Sequence, residues 1–209
     1  MLARDFISSH NEKRSGVNWV LRLNTISDLE AVTLTKQYNK ECSDSDPFLN
    51  PSFMTDIGLD RENTYRFELW ANDELAGIAV IGAAFELLDD EDYGVEDNCY
   101  SAWINVGVAF ISKKYRHKVS GKIFSRHCTW AIEDILSHEV KGIVQNPQTA
   151  TVMAVIEAYC LSKGGLRFAK MFADYFGPNS DFTFELHGLG IPFSSYVCSI
   201  EIDDLEMAA

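Results

Sequence analysis

Basic side chains are scarce in this 209-residue chain: 18 lysines and arginines face 31 aspartates and glutamates, for a formal net charge of −13. That balance excludes a general nucleic-acid binder, which needs a basic surface against the phosphates. It favours solubility and attraction of cationic partners. Cysteines are few and dispersed (Cys42, Cys99, Cys128, Cys160, Cys198). Their number is odd and none forms a Cys-x-x-Cys pair, so they read as neither a disulfide nor a metal framework. Reduced thiols in a cytoplasmic protein are the expectation. The five histidines show no ligand spacing, and no metal is expected. Adjacent His127 and Cys128 would not face each other on a helix, which argues against a thiol–imidazole pair. No run of 18 apolar residues suggests a membrane span. The first residues lack the apolar core of a secretory leader, so none is expected. What remains, 46% hydrophobic and 12% aromatic, is the composition of one globular domain with a full core.

Residues 1–16 are polar and read as a loose lead-in, residues 17–203 as a single domain, and residues 204–209 as a tail. A strand over 17–23 precedes Ser27 and Glu30, which have capping-box spacing and open a helix running to about residue 39. Residues 42–62 are polar, with a short helix expected around 51–57. Tyr65 to Leu69 alternates apolar and charged, Asn72-Asp73 supplies a turn, and residues 75–81 return as the second strand of a hairpin. Residues 86–97 hold seven acids and no base, the pattern of a solvated loop. Residues 103–111 are nearly all apolar, as in a strand covered on both faces. Ile123, Phe124, Cys128, Ala131, Ile132, Ile135 and Leu136 then trace a helical stripe. Beyond it we expect a short strand at 140–144, a helix from 151 to about 163 stopped by Gly164-Gly165, and strands at 167–172 and 196–202. The expected class is α/β (α+β), a mixed sheet with helices on its faces.

Against this background six of the 18 basic residues fall within residues 113–126, in a stretch without an acid. The island sits between the apolar strand and the striped helix. A helix start offers free N–H groups and a positive dipole end, so an anion such as a phosphate would be held there. The alternative is a solvated, solubilising loop.

The segment Arg116-His117-Lys118-Val119-Ser120-Gly121, in this position and element order, resembles the GNAT superfamily of N-acetyltransferases. There a Gln/Arg-x-x-Gly-x-Gly/Ala loop opens a helix and cradles the pyrophosphate of acetyl-coenzyme A. Val119 stands where the family has its first glycine. Val144-Gln145-Asn146-Pro147 and Gly164-Gly165-Leu166 are similar to the family's next strand, Asn-containing turn and helix end. The resemblance implies a mostly antiparallel central sheet and acetyl-CoA, or another acyl-CoA, as co-substrate. It implies a cradle of N–H groups from Lys118 to Lys122, with Arg116, His117, Lys118, Ser120, Gly121, Lys122 and Asn146 at the cofactor. The extended arm would lie along the backbone near Phe110, Ile111 and Lys113. An acceptor amine must be neutral to attack, which calls for a base or an ordered water. Where some family members carry a Glu, this chain has Asn105, which could position a water. Glu68 or Glu96 could stand in as base. Tyr159, expected on the helix after the fifth strand, is the candidate acid for the leaving thiolate, with a plain core role as the alternative.

These implications lead to an acyl-CoA-dependent N-acyltransferase acting on a cationic amine, with no nucleic-acid or membrane partner and a possible homodimer. The departures at Val119 and Asn105 leave open a catalytically silent protein of the same fold that binds a protein partner. A weaker third reading uses the island for nucleic acid or another phosphate-bearing ligand.

Overall fold

The structure is a computed structural model that describes residues 11–14, 16–41, 48–51, 63–88, 98–144, 146, 149–160, 162–177, 183–186 and 189–202. Its elements in chain order are β1 (Asn11–Arg14), β2 (Val17–Leu23), α1 (Asp28–Glu41), β3 (Thr64–Ala71), β4 (Glu74–Leu87) and β5 (Cys99–Ile111). They continue with a short 3-10 turn (Lys113–Tyr115), α2 (Lys118–Ile143), β6 (Thr151–Cys160), α3 (Lys163–Phe176), β7 (Thr183–Leu186) and β8 (Leu189–Ile202). The strands line up as β1-β2-β3-β4-β5-β6-β8-β7. Neighbours from β1 to β5 are antiparallel, β5–β6 and β6–β8 are parallel, and β7 returns antiparallel on β8. The mixed, mostly antiparallel sheet flanked by helices is therefore observed.

Local chemistry explains the well-read elements. Ser27 and Glu30 form the expected capping box: Ser27 N donates to Glu30 Oε2 at 2.8 Å, and Glu30 N donates to Ser27 Oγ at 3.3 Å. The β3–β4 hairpin turns on Asn72 and Asp73, both at positive φ (48° and 67°), the backbone hand that suits a two-residue connection. All seven stripe residues of α2 are buried. They join α3 and the inner sheet face in the main core, and α1 covers the opposite face over Ile78, Val80 and Phe110.

Four local readings are corrected. Residues 11–14 are not lead-in but β1, paired to β2. Residues 140–144 continue α2 for most of their length, because Val140 extends its stripe into the core. Residues 151–160 form a strand, not a helix: Val152, Ala154, Ile156, Ala158 and Cys160 alternate inward. Residues 167–172 lie within α3, capped by Ser162 and carrying Phe168, Ala169, Phe172 and Phe176 on one buried face. Gly164 and Gly165 thus sit in the first turn of α3 and do not terminate a helix. The order of element types after β5 survives with its boundaries moved. The expected short helix at 51–57 and most of the acidic stretch, Glu96 included, lie outside the described residues.

Candidate functional site

Strands β5 and β6 pair from Cys99↔Thr151 to Val106↔Ala158, and there the ladder ends. Both strands continue: β5 stays on β4 as far as Ile111, and β6 stays on β8 as far as Cys160. A register shift between β4 and β5 leaves Gly107 without a direct partner, since Val80 faces Val108 and Ile81 faces Val106. This bulge bends β5 where it leaves β6. The result is a cleft of about 270 Å³ between the parting strands, lined on its walls by Val106–Ala109, Tyr159, Cys160 and Phe168. Tyr38 of α1 and Leu49 lie over it, and Ser162 and Gly165 close its end at α3. Burial raises the Cys160 thiol above its ordinary range, so this wall is a neutral, apolar surface.

Helices α2 and α3 both start where their preceding strands end, the end of a parallel pair at which ligands meet helix N-termini. The α2 start is well defined. His117 caps it: Ser120 N donates to His117 Nδ1 and His117 N donates to Ser120 Oγ, each at 3.2 Å. The Ser120 hydroxyl donates in turn to Tyr115 O at 2.6 Å, and Gly121 N is bonded to His117 O at 3.1 Å. Of the four N–H groups that a helix start leaves without intrahelical partners, the cap engages those of His117 and Ser120. For the amides of Lys118 and Val119 no partner occurs among the described residues. The expected cradle of five consecutive amides is therefore narrower. A Cβ on Gly121 would meet nothing within 4 Å, so the approach to the helix start is open.

The basic island is partly engaged within the fold. The Lys114 ammonium and the Tyr115 hydroxyl both reach Glu74 Oε2 at 2.6 Å, which lowers that carboxyl below its usual range. Lys113 N donates to Glu41 Oε2 at 3.3 Å. Arg116 donates from Nε to Ile111 O at 3.3 Å and lies over the Tyr38 ring at 5.0 Å. Arg126 pairs with Glu12 of β1. Lys113, Arg116 and Lys122 are solvent-exposed, and a positive fringe surrounds the helix start.

A polar recess of about 240 Å³ opens on the sheet face opposite α2 and α3, lined by Asn105, Gly107, Glu157, Tyr159, Ser199 and Glu201. Asn105 and Glu157 are direct partners across β5–β6. The Trp103 indole donates to Glu157 Oε2 at 2.9 Å, and Asn105 Nδ2 makes a longer contact of 3.5 Å to the same oxygen. Tyr159, two residues on and 57% exposed, borders both this recess and the cleft.

No family model and no curated protein matches the sequence. Among solved structures the chain is similar to a transcriptional regulator from Bacillus halodurans C-125, at 12% identity and TM-score 0.40 over 80% of this chain and 99% of that one. It is also similar to an aminoglycoside N-acetyltransferase in complex with CoA, at 10% identity and TM-score 0.38 over 84% and 97%. A possible acetyltransferase from Clostridium difficile 630 matches at 16% identity and TM-score 0.35 over 79% and 95%.

The structure gathers Arg116, His117, Lys118, Val119, Ser120, Gly121 and Lys122 at one helix start, and brings Asn105 and Tyr159 to one recess. Tyr159 arrives there on a strand, not a helix. Phe110, Ile111 and Lys113 do not line the cleft; the parting lies a few residues earlier, at Val106–Ala109. Asn146 is at the far end of the parallel pair, where its carbonyl accepts from Asn98 Nδ2 at 2.8 Å just before β5 begins. Glu68 is fully buried and bonded to the β2–α1 loop, which removes it as a base. Sequence reasoning passed over Glu157. Its signal was an acid within an otherwise apolar run, Val155-Ile156-Glu157-Ala158, visible only once that run is read as a strand.

Proposed function

We propose that this protein is an acyl-CoA-dependent N-acyltransferase that transfers an acyl group directly to an amine, preferably of a cationic acceptor. One observation carries the reading. Two parallel strands part at Val106/Ala158, and the gap lies beside a basic loop that opens a 26-residue helix. An extended arm with amide groups fits an apolar gap flanked by strand edges. Its phosphates fit the helix start beside the exposed Lys113, Arg116 and Lys122. A bound acyl thioester would supply an electrophilic carbonyl; the chain's own groups handle the protons. In this reading Glu157 takes a proton from the attacking amine, directly or through a water held by Asn105, and the Tyr159 hydroxyl, beside the gap, protonates the departing sulfur. The acidic recess, with Glu157 and Glu201, suits an ammonium-bearing acceptor.

The test is a thermal shift with acetyl-CoA. Binding stabilises the folded protein by RT ln(1 + [L]/Kd), and Arg116→Ala and Gly121→Glu weaken the shift. The second substitution places a carboxylate at the helix start without a steric clash. No shift at millimolar acetyl-CoA would remove the proposal. Given binding, Glu157→Gln lowers kcat/KM by about 10²–10⁴-fold, the usual range for a lost general base.

A further inference from the structure

Trp103 lies on the recess face of β5, and its setting is specific. Its neighbour across β4–β5 is Ala84, and the next residue of β4 on that face is Gly82. A Cβ built on Gly82 would lie 2.9 Å from Trp103 Cζ3 and 3.2 Å from Cη2. Contacts that short are repulsive, so the benzo end of the indole fills the space a side chain on Gly82 would take, and any side chain there would displace it. The ring thus spans β5, with its benzo edge over β4 and its N–H on Glu157 of β6 at 2.9 Å. Asn105 approaches the same oxygen, Oε2, at 3.5 Å. No hydrogen bond to Oε1 occurs among the described residues.

This asymmetry has a chemical meaning. A carboxylate on an exposed strand rotates about its last torsion and offers either oxygen. One held at Oε2 by a rigid indole offers a single oxygen in a fixed direction. We infer that Trp103, seated on Gly82, is the positioning residue of this site: it fixes Oε2 of Glu157 and leaves Oε1 as the proton acceptor. The inference rests on the acyltransferase reading and adds to it the device that sets the direction of the base. The other titratable groups lining the recess are Tyr159 on the same strand and Glu201 on β8.

Two variants separate this role from simple packing. Trp103→Phe keeps an aromatic ring and removes the N–H; Gly82→Ala keeps the N–H and displaces the ring. The measurement is kcat and KM with acetyl-CoA and an amine acceptor, alongside the acetyl-CoA thermal shift. Both variants retain the shift, because neither residue borders the gap. In both, kcat falls about tenfold while KM for acetyl-CoA is unchanged, the pattern of an interaction that serves the chemical step and not cofactor binding. An unchanged kcat in either variant, or a loss of the thermal shift together with activity, would make Trp103 a packing residue and overturn the inference, while the acyltransferase reading stands. Absence of acetyl-CoA binding by the unaltered protein would end both. Independently of turnover, the Trp103 indole N–H resonance must shift in Glu157→Ala; an unmoved resonance also overturns the inference.

Discussion

Replacing Glu68 by alanine would release the start of α1, the helix whose Tyr38 lies over the cleft. The Glu68 side chain has no solvent exposure. Its Oε1 accepts from Thr25 N at 2.8 Å and from Ile26 N at 3.1 Å, and its other oxygen accepts from the Thr25 hydroxyl. Arg66, also buried, lies 3.7 Å away and bonds Asp28 at the first turn of α1. Truncation leaves two loop amides and the Thr25 hydroxyl without their acceptor and removes the carboxylate beside the Arg66 guanidinium. Removing one partner of a buried charged set costs about 3–5 kcal/mol. A chain of this size loses roughly 2–4 °C of Tm per kcal/mol, so a fall of about 6–20 °C is expected. The Glu68→Gln side chain would keep a carbonyl for the two amides and turn its NH₂ toward the Thr25 oxygen. That substitution therefore costs only about 1–2 kcal/mol. Denaturant titration of both variants, with unchanged m-values, measures the pair. Glu68→Ala within 1 kcal/mol of the unaltered protein, or Glu68→Gln as damaging as Glu68→Ala, would refute the hydrogen-bond account. The first would mean the loop finds water instead; the second would mean charge, not acceptor geometry, holds it.

Burial raises the Glu139 carboxyl, whose oxygens accept from Phe85 N at 3.0 Å and the Tyr65 hydroxyl at 3.3 Å. The folded state then binds more protons than the unfolded state between the two pKa values, so this group's contribution falls as pH rises through that window. Glu139→Gln should therefore gain stability relative to the unaltered protein as pH rises from the ordinary Glu pKa, about 4, through the raised folded value, read by urea titration at each pH; a flat difference counts against it. Thiol labelling should follow exposure: Cys198 is exposed, whereas Cys128 is fully buried with its thiol raised by burial. A disulfide reagent should modify Cys198 in the native protein and Cys128 only on unfolding, as mapped by peptide mass; native labelling of Cys128 would contradict the packing of α2.

The parts of the fold legible in the sequence are those fixed by local chemistry. The Ser27/Glu30 cap, the Asn72-Asp73 turn and the stripe from Ile123 to Leu136 each declare themselves within a few residues. So did the basic island, because charge segregation needs no tertiary context. Residues 151–160 failed for a definite reason. Val152, Ala154, Ile156, Ala158 and Cys160 face the core, but Met153, Val155 and Tyr159 on the other face are also large and apolar, so neither period dominates. Misreading that strand as a helix moved Tyr159 to the wrong element and hid Glu157 altogether. The parting of β5 from β6 was out of reach of sequence, since it depends on a bulge at Gly107 and on partners about 50 residues apart. The amide cradle was overestimated because the reciprocal bond between His117 and Ser120 is invisible until both side chains are placed.

Past Val106 and Ala158 each strand is satisfied on its outer side only, and the two inner margins face one another across a seam. The β5–β6 ladder does not continue across it, and under the acyl-CoA reading a guest with alternating donors and acceptors pairs with these margins. Recognition of this kind is written into main-chain atoms that every residue type shares. Side-chain replacement along the seam can tune how snugly a guest sits, yet it leaves the rungs themselves in place.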